Sequence, residues 1–178
     1  DSVVNIDMGA FWGCQNLTSM SIPDGITDIP NWLFCGCKNL LTVELPETIA
    51  TIGIYAFHGC EQLTGVNLPE GIVSIDGNAF SICTQLIEVS IPDSVVSLGD
   101  LAFSGCTSLS KVSIGNGITY IGRNTFSGCD SLKNLTLSES VEEIGDYAFR
   151  YCENLEWIHF TGHAPSIADT AFNGTNTI

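Results

Sequence analysis

Basic residues are scarce in this 178-residue chain, where five Lys and Arg stand against 20 Asp and Glu for a net charge of −15. A nucleic-acid-binding protein needs a basic face for the phosphates, and an anionic membrane surface attracts the same residues. No apolar run reaches the roughly 18 residues that a membrane-spanning helix needs. The composition therefore argues against binding to nucleic acid and against membrane insertion of this segment.

Residues typical of catalytic and metal sites are also few. The chain has three histidines, no glycine loop of the phosphate-binding kind and no Cys-x-x-Cys pair. An enzyme needs titratable groups that converge in a concave pocket, and a structural zinc site needs ligands that converge on a tetrahedron. We therefore predict a protein that is not an enzyme, with no catalytic residues, no cofactor and no metal site.

What the chain has in abundance is one motif, Ala-Phe-x-Gly-Cys-x-x-Leu, which recurs every 23 residues. A cysteine follows the phenylalanine by three positions in seven copies, and an eighth copy has Thr175 at that place. A strict period of this length predicts a solenoid, in which each repeat buries its apolar face against its neighbours. The repeated phenylalanines are Phe11, Phe34, Phe57, Phe80, Phe103, Phe126, Phe149 and Phe172.

The repeats fill the chain, so we predict one domain over residues 1–178. The repeats start near residues 1, 24, 47, 70, 93, 116, 139 and 162. The opening Asp1-Ser2 is in frame with Asp93-Ser94, and Ile178 is in frame with Leu155, so both ends fall inside the repeat pattern. Solenoids need capped ends. We therefore expect a fragment of a longer protein.

Within one repeat, the alternating Val-x-Ile/Leu segment predicts a short strand with one face inward. Proline ends it in several copies, and the Gly-x-x-Ala-Phe-x-Gly-Cys segment fits one or two turns of α or 3₁₀ helix. The glycine before each cysteine is typical of positive φ. Because a β-branched residue is strained there, the presence of Ile82 leads us to expect that the position does not require it.

The unit Leu-x-x-Val-x-Ile-Pro-x-x-Ile-x-x-Ile-Gly-x-x-Ala-Phe-x-Gly-Cys resembles the leucine-rich repeat of the BspA type, also called the Treponema pallidum type. The resemblance covers the whole chain. It implies an α/β solenoid: a right-handed coil of about eight repeats, with a parallel sheet on one concave face and short α or 3₁₀ turns on the other. It also implies a secreted or cell-surface location and, as in several members, adhesion to host proteins.

The cysteines at the repeated position should form an inward column. Neighbours would lie about 5 Å apart, which permits a disulfide by distance alone, but parallel side chains suit the S–S dihedral angle poorly. Free cysteine packs as a small hydrophobic residue. We therefore favour buried free thiols over disulfides or a metal column. Cys35 lies one position after Phe34, where other repeats have polar residues, and we expect it to be exposed.

Outward positions of the strands vary between copies, which favours a binding face for an extracellular protein or glycan. An alternative is a structural spacer that holds another domain away from the cell surface. Two further candidate sites are an acidic column from Asp24 to Glu139, which could gather calcium, and an aromatic ridge of Trp32, Tyr55 and Tyr147. The candidate ligand-binding residues of the sheet face are Glu44, Asn67, Glu88, Lys111, Asn134, Trp157 and His159.

Overall fold

A computed structural model describes residues 3–176 and shows a solenoid of short parallel strands. Each coil places one strand in a first ladder and a shorter strand in a second ladder. Partners in both ladders lie 23 residues apart, as in Ser19 beside Thr42 and Asp28 beside Thr51. The solenoid and its parallel sheet are therefore confirmed. The expected repeat start at Asp1 and the frame of Ile178 lie outside the described residues.

The first ladder carries the longer strands, which alternate exposed and buried residues as a half-buried strand should. Its backbone pairs as β1 with β3, β6 with β8 and β10 with β12, and a single bridge joins Gly65 to Glu88. The strands are β1 (Ser19–Ser21), β3 (Thr42–Glu44), β6 (Glu88–Ile91), β8 (Lys111–Ile114), β10 (Asn134–Leu137) and β12 (Trp157–Phe160).

The second ladder was not expected from the sequence. It consists of two-residue strands that pair in parallel as β2–β4–β5–β7 and as β9–β11–β13. In all but the last of these strands the second residue is apolar and buried. They are β2 (Asp28–Ile29), β4 (Thr51–Ile52), β5 (Ser74–Ile75), β7 (Ser97–Leu98), β9 (Tyr120–Ile121), β11 (Glu143–Ile144) and β13 (Ser166–Ile167).

The number of complete coils is smaller than the expected eight. Within residues 3–176 the first ladder has six strands and the bridge at Gly65. Phe172 still stacks on Phe149, but the described chain after β13 forms no further first-ladder strand. The repeat motif therefore extends beyond the part of the array that forms full coils.

The predicted α or 3₁₀ turns are wrong, because residues 3–176 contain turns but no helix. A helix would use consecutive N–H groups within its own turn. Here every second N–H of the Ala-Phe segment points along the solenoid axis to a carbonyl of the next coil. In one coil the N–H groups of Asn78, Phe80 and Ile82 donate to the carbonyls of Asp100, Ala102 and Ser104, at 3.0, 2.8 and 2.8 Å.

The expectation for Ile82 is also wrong. Its φ is 59°, and Tyr151 at the same repeat position has φ 57°. In this left-handed conformation the N–H of Ile82 donates to the carbonyl of Ser104 in the next coil, and Gly59 and Gly105 at the same repeat position make the equivalent bond with similar φ. A β-branched residue here is held by the ladder against its local preference.

The phenylalanines form a continuous stack along the axis. Consecutive ring centroids lie 5.0 to 5.6 Å apart, with interplanar angles between 1° and 22°. The strand spacing of about 4.8 Å imposes this separation on identical side chains in successive coils. Six of these rings, from Phe34 to Phe149, are fully buried. The stack therefore occupies the centre of the core.

The repeated cysteines are free thiols, as predicted, and they have a further role as hydrogen-bond donors. The thiol of Cys106 donates to the carbonyl oxygen of Phe80 in the preceding coil, at 3.1 Å. Five other cysteines, from Cys37 to Cys152, make the equivalent bond. Thr175 makes it as well, because its hydroxyl donates to the carbonyl of Phe149 at 2.7 Å. Six cysteines and Thr175 therefore all act as hydrogen-bond donors at this position.

Burial keeps this column protonated. It raises the pKa of the Cys106 and Cys152 thiols to about 12 and also raises that of Cys83. The expectation of an exposed Cys35 is wrong, since its side chain is buried and burial raises its pKa. Its position after Phe34 faces neighbouring coils rather than solvent.

Candidate functional site

The outward face of the first ladder is set by strand alternation. On β6 the side chains of Val89 and Ile91 point into the core, while Glu88 and Ser90 are exposed. The same pattern recurs on β8 and β10. Since strand neighbours lie about 4.8 Å apart, exposed residues from successive coils form continuous columns across the face.

All seven predicted sheet-face residues are exposed. Six lie on first-ladder strands, and the pairing sets Lys111 beside Glu88 and Trp157 beside Asn134. Asn67 lies outside the strands, in the stretch that follows the Gly65 bridge. Glu44 lies on β3, before that stretch, and His159 lies on β12 at the other end of the face.

Direct contacts within this group are weak. The Lys111 Nζ lies 3.4 Å from Glu88 Oε2, and both side chains remain more than half exposed. Exposed ion pairs of this kind contribute about 0–1 kcal/mol to stability. The hydroxyl of Ser113 donates to Ser90 Oγ at 2.9 Å. These polar groups therefore remain available to a ligand.

Two shallow grooves lie where the first ladder is interrupted. The first, of about 410 Å³, lies between the Gly65–Asn67 stretch and β6 and reaches Lys111. The second, of about 460 Å³, lies between β8 and β10 and includes Lys111, Asn134 and Thr136. Lys111 thus lies between two adjoining grooves.

Gly65 is a residue that the sequence analysis did not select. It occupies the outward column between Thr42 and Glu88, and a Cβ added to it would meet nothing within 4 Å. Glycine weakens a strand and leaves no side chain to pack. The single glycine in an otherwise side-chain-bearing column was a visible signal that a notch lies here.

Trp157 and His159 lie on β12, outside both grooves. Trp157 is 47% exposed. The inward residues of β12 are only half-buried, in contrast to those of β10, because the described chain places no strand on its other side. The exposed indole therefore adds an aromatic group at the end of the polar face.

In the acidic column, Asp93 forms hydrogen bonds to the turn of the next coil. Asp93 Oδ1 accepts hydrogen bonds from the backbone N–H of Asn116 at 2.7 Å and from its side-chain amide at 3.2 Å. Within residues 3–176 no group of three or more His, Cys, Asp or Glu has a metal-binding arrangement. Asp93 thus caps the next coil, as expected for an ordinary turn residue.

The aromatic ridge is divided between two regions. Trp32 and Tyr55 stack with ring centroids 6.2 Å apart and are half-buried, and the edge of His58 meets Tyr55. Burial lowers the pKa of His58, whose Nδ1 lies 2.6 Å from Ser81 Oγ. Tyr147 lies further along the array beside two arginines. The first pair therefore packs between coils.

In the part of the chain that is described, no helix is long and apolar enough to cross a membrane.

Comparison with known proteins shows the same repeat architecture. The model of the family described as the BspA type leucine rich repeat region matches in six copies, over residues 4–100 and 75–178. A search of curated proteins found no match.

Solved structures of three bacterial proteins are similar to this chain. A leucine-rich repeat protein from Bacteroides ovatus is 33% identical with a TM-score of 0.91, over 98% of this chain and 45% of its own. The T. pallidum leucine rich repeat protein is 32% identical with a TM-score of 0.80, over 86% of this chain and 72% of the T. pallidum chain. A leucine rich cell surface protein from Faecalibacterium prausnitzii is 28% identical with a TM-score of 0.57, over 100% of this chain and 63% of the Faecalibacterium chain. This chain spans less than half of the Bacteroides ovatus protein.

Proposed function

The chain belongs to the BspA-type leucine-rich repeat family, and from this premise we propose that it is a non-enzymatic binding module of a secreted or cell-surface protein. Its ligand is an extracellular protein or glycan, bound by the outward face of the first ladder. The description of the Faecalibacterium prausnitzii relative as a cell surface protein supports the location.

One observation carries the proposal: the variable, exposed residues converge on two adjoining grooves. Glu88 and Asn67 line the first groove, Asn134 lines the second, and Lys111 lines both. Carboxylate, amide, hydroxyl and ammonium groups of this kind recognise polar ligands by hydrogen bonds. Binding sites usually combine a concave surface with a few placed polar groups.

Glu44, Trp157 and His159 extend the face at its two ends. Tryptophan is enriched among residues that carry binding energy at interfaces. In this proposal the grooves hold the centre of the ligand, and Trp157 contacts a part that extends along the sheet.

The test is a binding panel of extracellular matrix proteins and glycans, with variants that change only the proposed face. Gly65→Thr fills the first groove, and it should fold normally because a Cβ there meets open space. Glu88→Lys reverses a charge in the same groove. We expect at least tenfold weaker binding from either variant and a smaller loss from Trp157→Ala.

The matched control is Glu143→Lys, since Glu143 is an exposed glutamate on β11 of the second ladder. It makes the same charge change on a different side of the coil and should leave binding unchanged. Equal loss in Glu143→Lys and Glu88→Lys would indicate a general charge effect and refute a sheet-face site. Full binding by both Gly65→Thr and Trp157→Ala would also refute a sheet-face site.

A structural spacer is the second candidate, and the continuous phenylalanine stack favours it. Eight rings at spacings of 5.0 to 5.6 Å make a rod about 40 Å long in which every coil is tied to the next. A spacer would tolerate substitutions across the whole polar face. Unchanged cell adhesion in a combined Gly65→Thr and Glu88→Lys variant would favour it over the binding module.

A further inference from the structure

Two of the five basic residues converge on one aromatic side chain, away from the first-ladder face. Arg123 and Arg150 place their guanidinium carbons 5.9 and 5.2 Å from the ring centroid of Tyr147. All three residues belong to the turn segments between the second ladder and the next first-ladder strand. In a chain of net charge −15, such a cluster is unusual.

The Arg150 guanidinium is fixed by its surroundings. It lies 4.4 Å from the ring centroid of Tyr151, and its Nη2 donates to the Tyr151 hydroxyl at 2.7 Å. Its Nε is buried and has no hydrogen-bond partner. The ring of Tyr151 packs close to Gly174, where an added Cβ would lie only 2.5 Å from it. The side-chain entropy that a flexible arginine loses on binding is therefore lost already in the free protein.

In the described part of the chain, neither guanidinium forms an ion pair. The ion pairs within residues 3–176 are those of Lys38 with Glu61 and of Lys111 with Glu88. Two acidic residues bond to other groups: Asp100 of the preceding coil accepts the backbone N–H of Arg123 at 2.8 Å, and Asp146 accepts the hydroxyl of Thr170 at 2.5 Å. Within residues 3–176 the two guanidinium groups thus carry positive charge that no ion pair neutralises.

We propose that Arg123, Arg150 and Tyr151 form a binding site for a single carboxylate group of a protein ligand. Nε of Arg150 is buried, so its terminal Nη groups are the donors left for a carboxylate. The Tyr151 hydroxyl accepts a hydrogen bond from Arg150, so its own proton is free to donate to the same carboxylate. Arg123, which is exposed, adds a second positive charge from the adjacent coil.

The net charge limits the ligand to a single carboxylate. The 20 acidic residues repel a polyanion over its length, whereas one carboxylate on an otherwise neutral peptide meets mainly the local field of the two arginines. The site lies on the turn segments, so it binds independently of the grooves beside Lys111.

The experiment is an NMR titration of the arginine side-chain Nε–H signals at constant ionic strength. The probe is an acetylated, otherwise uncharged peptide with a free C-terminal carboxylate, and its C-terminal amide is the control. We expect the acid to shift the Arg150 signal to saturation, with the amide and sodium chloride producing no saturable shift. A heparin oligosaccharide serves as the polyanion and should bind more weakly than the acid peptide.

Variants separate recognition from folding. Arg123→Gln removes an exposed side chain that takes no part in the contact between Arg150 and Tyr151, so the fold should persist. The dissociation constant of the acid peptide should rise at least fivefold. Arg123→Lys keeps the positive charge but loses the planar guanidinium, so it should give an intermediate dissociation constant. Lys38→Gln, which removes a positive charge elsewhere, should change nothing. Equal binding of acid and amide, tighter binding of heparin, or full binding by Arg123→Gln would each overturn the proposal.

Discussion

The cysteine column offers a direct test of the physical reasoning about the core. Cys106 is fully buried, and its thiol donates to the carbonyl of Phe80. Cys106→Ala removes this hydrogen bond, which lowers the free energy of unfolding by about 1 kcal/mol. It also leaves a small void, which lowers it by about 1 kcal/mol more. The expected loss is therefore about 2 kcal/mol.

Cys106→Ser distinguishes a donor from an apolar filler. If the position only needs a small apolar group, a buried hydroxyl costs about 1–3 kcal/mol and serine is worse than alanine. If it needs a donor, serine retains the bond and loses less than 1 kcal/mol. We expect the order cysteine, serine, alanine from most to least stable. Thr175 already shows a hydroxyl in this role in the last repeat.

The assay is urea unfolding in the presence of reductant, supported by the melting temperature. In a chain of this size about 1 kcal/mol corresponds to 2–4 °C, so alanine should lower Tm by about 4 °C or more and serine by less. Thr175→Val, which keeps the shape and removes the donor, should also destabilise. An alanine variant more stable than the serine variant would refute the donor role.

Two further predictions concern the backbone and the thiols. Ile82→Gly should stabilise the protein by about 1 kcal/mol, because it relieves the strain of a β-branched residue in a left-handed conformation. Ile87→Gly, at another exposed isoleucine, should destabilise it. A thermal melt in which both variants destabilise the protein would contradict the assignment of strain. Stability should also fall as the pH rises above about 9, the ordinary thiol pKa, towards about 12, the raised pKa of Cys106 and Cys152, since unfolded thiols then ionise while folded ones do not. Each such thiol contributes a slope of about 1.4 kcal/mol per pH unit, and urea unfolding at pH 8 and pH 10 should therefore show a shallower decline in the Cys106→Ser variant than in the parent protein.

Much of the core could be predicted from residue spacing alone. An apolar side chain that recurs at a fixed period must face the interior in every coil, so Phe103 and its equivalents were assigned correctly. Exposure of the outward residues such as Glu88 and Lys111 followed by the same alternation. Cys35 was misassigned because the burial of its repeat position differs from coil to coil: the equivalent Trp12 is 69% exposed, whereas Ser81 is buried.

The candidate site was predicted only as a list of exposed positions. Which of them adjoin a groove depends on where the first ladder pairs and where it is interrupted, at Gly65 and between β8 and β10. The cluster of Arg123 with Tyr147 joins side chains 24 residues apart at different repeat positions. A comparison of equivalent positions in the repeats cannot reveal such a contact.

The sequence by itself determined that this protein is a solenoid and that its periodic apolar residues lie inside it, because a repeat of this length buries its apolar face only against neighbouring repeats. The tertiary structure decided the conformation of the turns. Every second N–H of a turn bonds to the next coil while the others bond within their own segment, which is incompatible with the expected helices and accompanies a left-handed conformation even at Ile82. It also decided the surface, since grooves and arginine contacts depend on the distances between neighbouring coils.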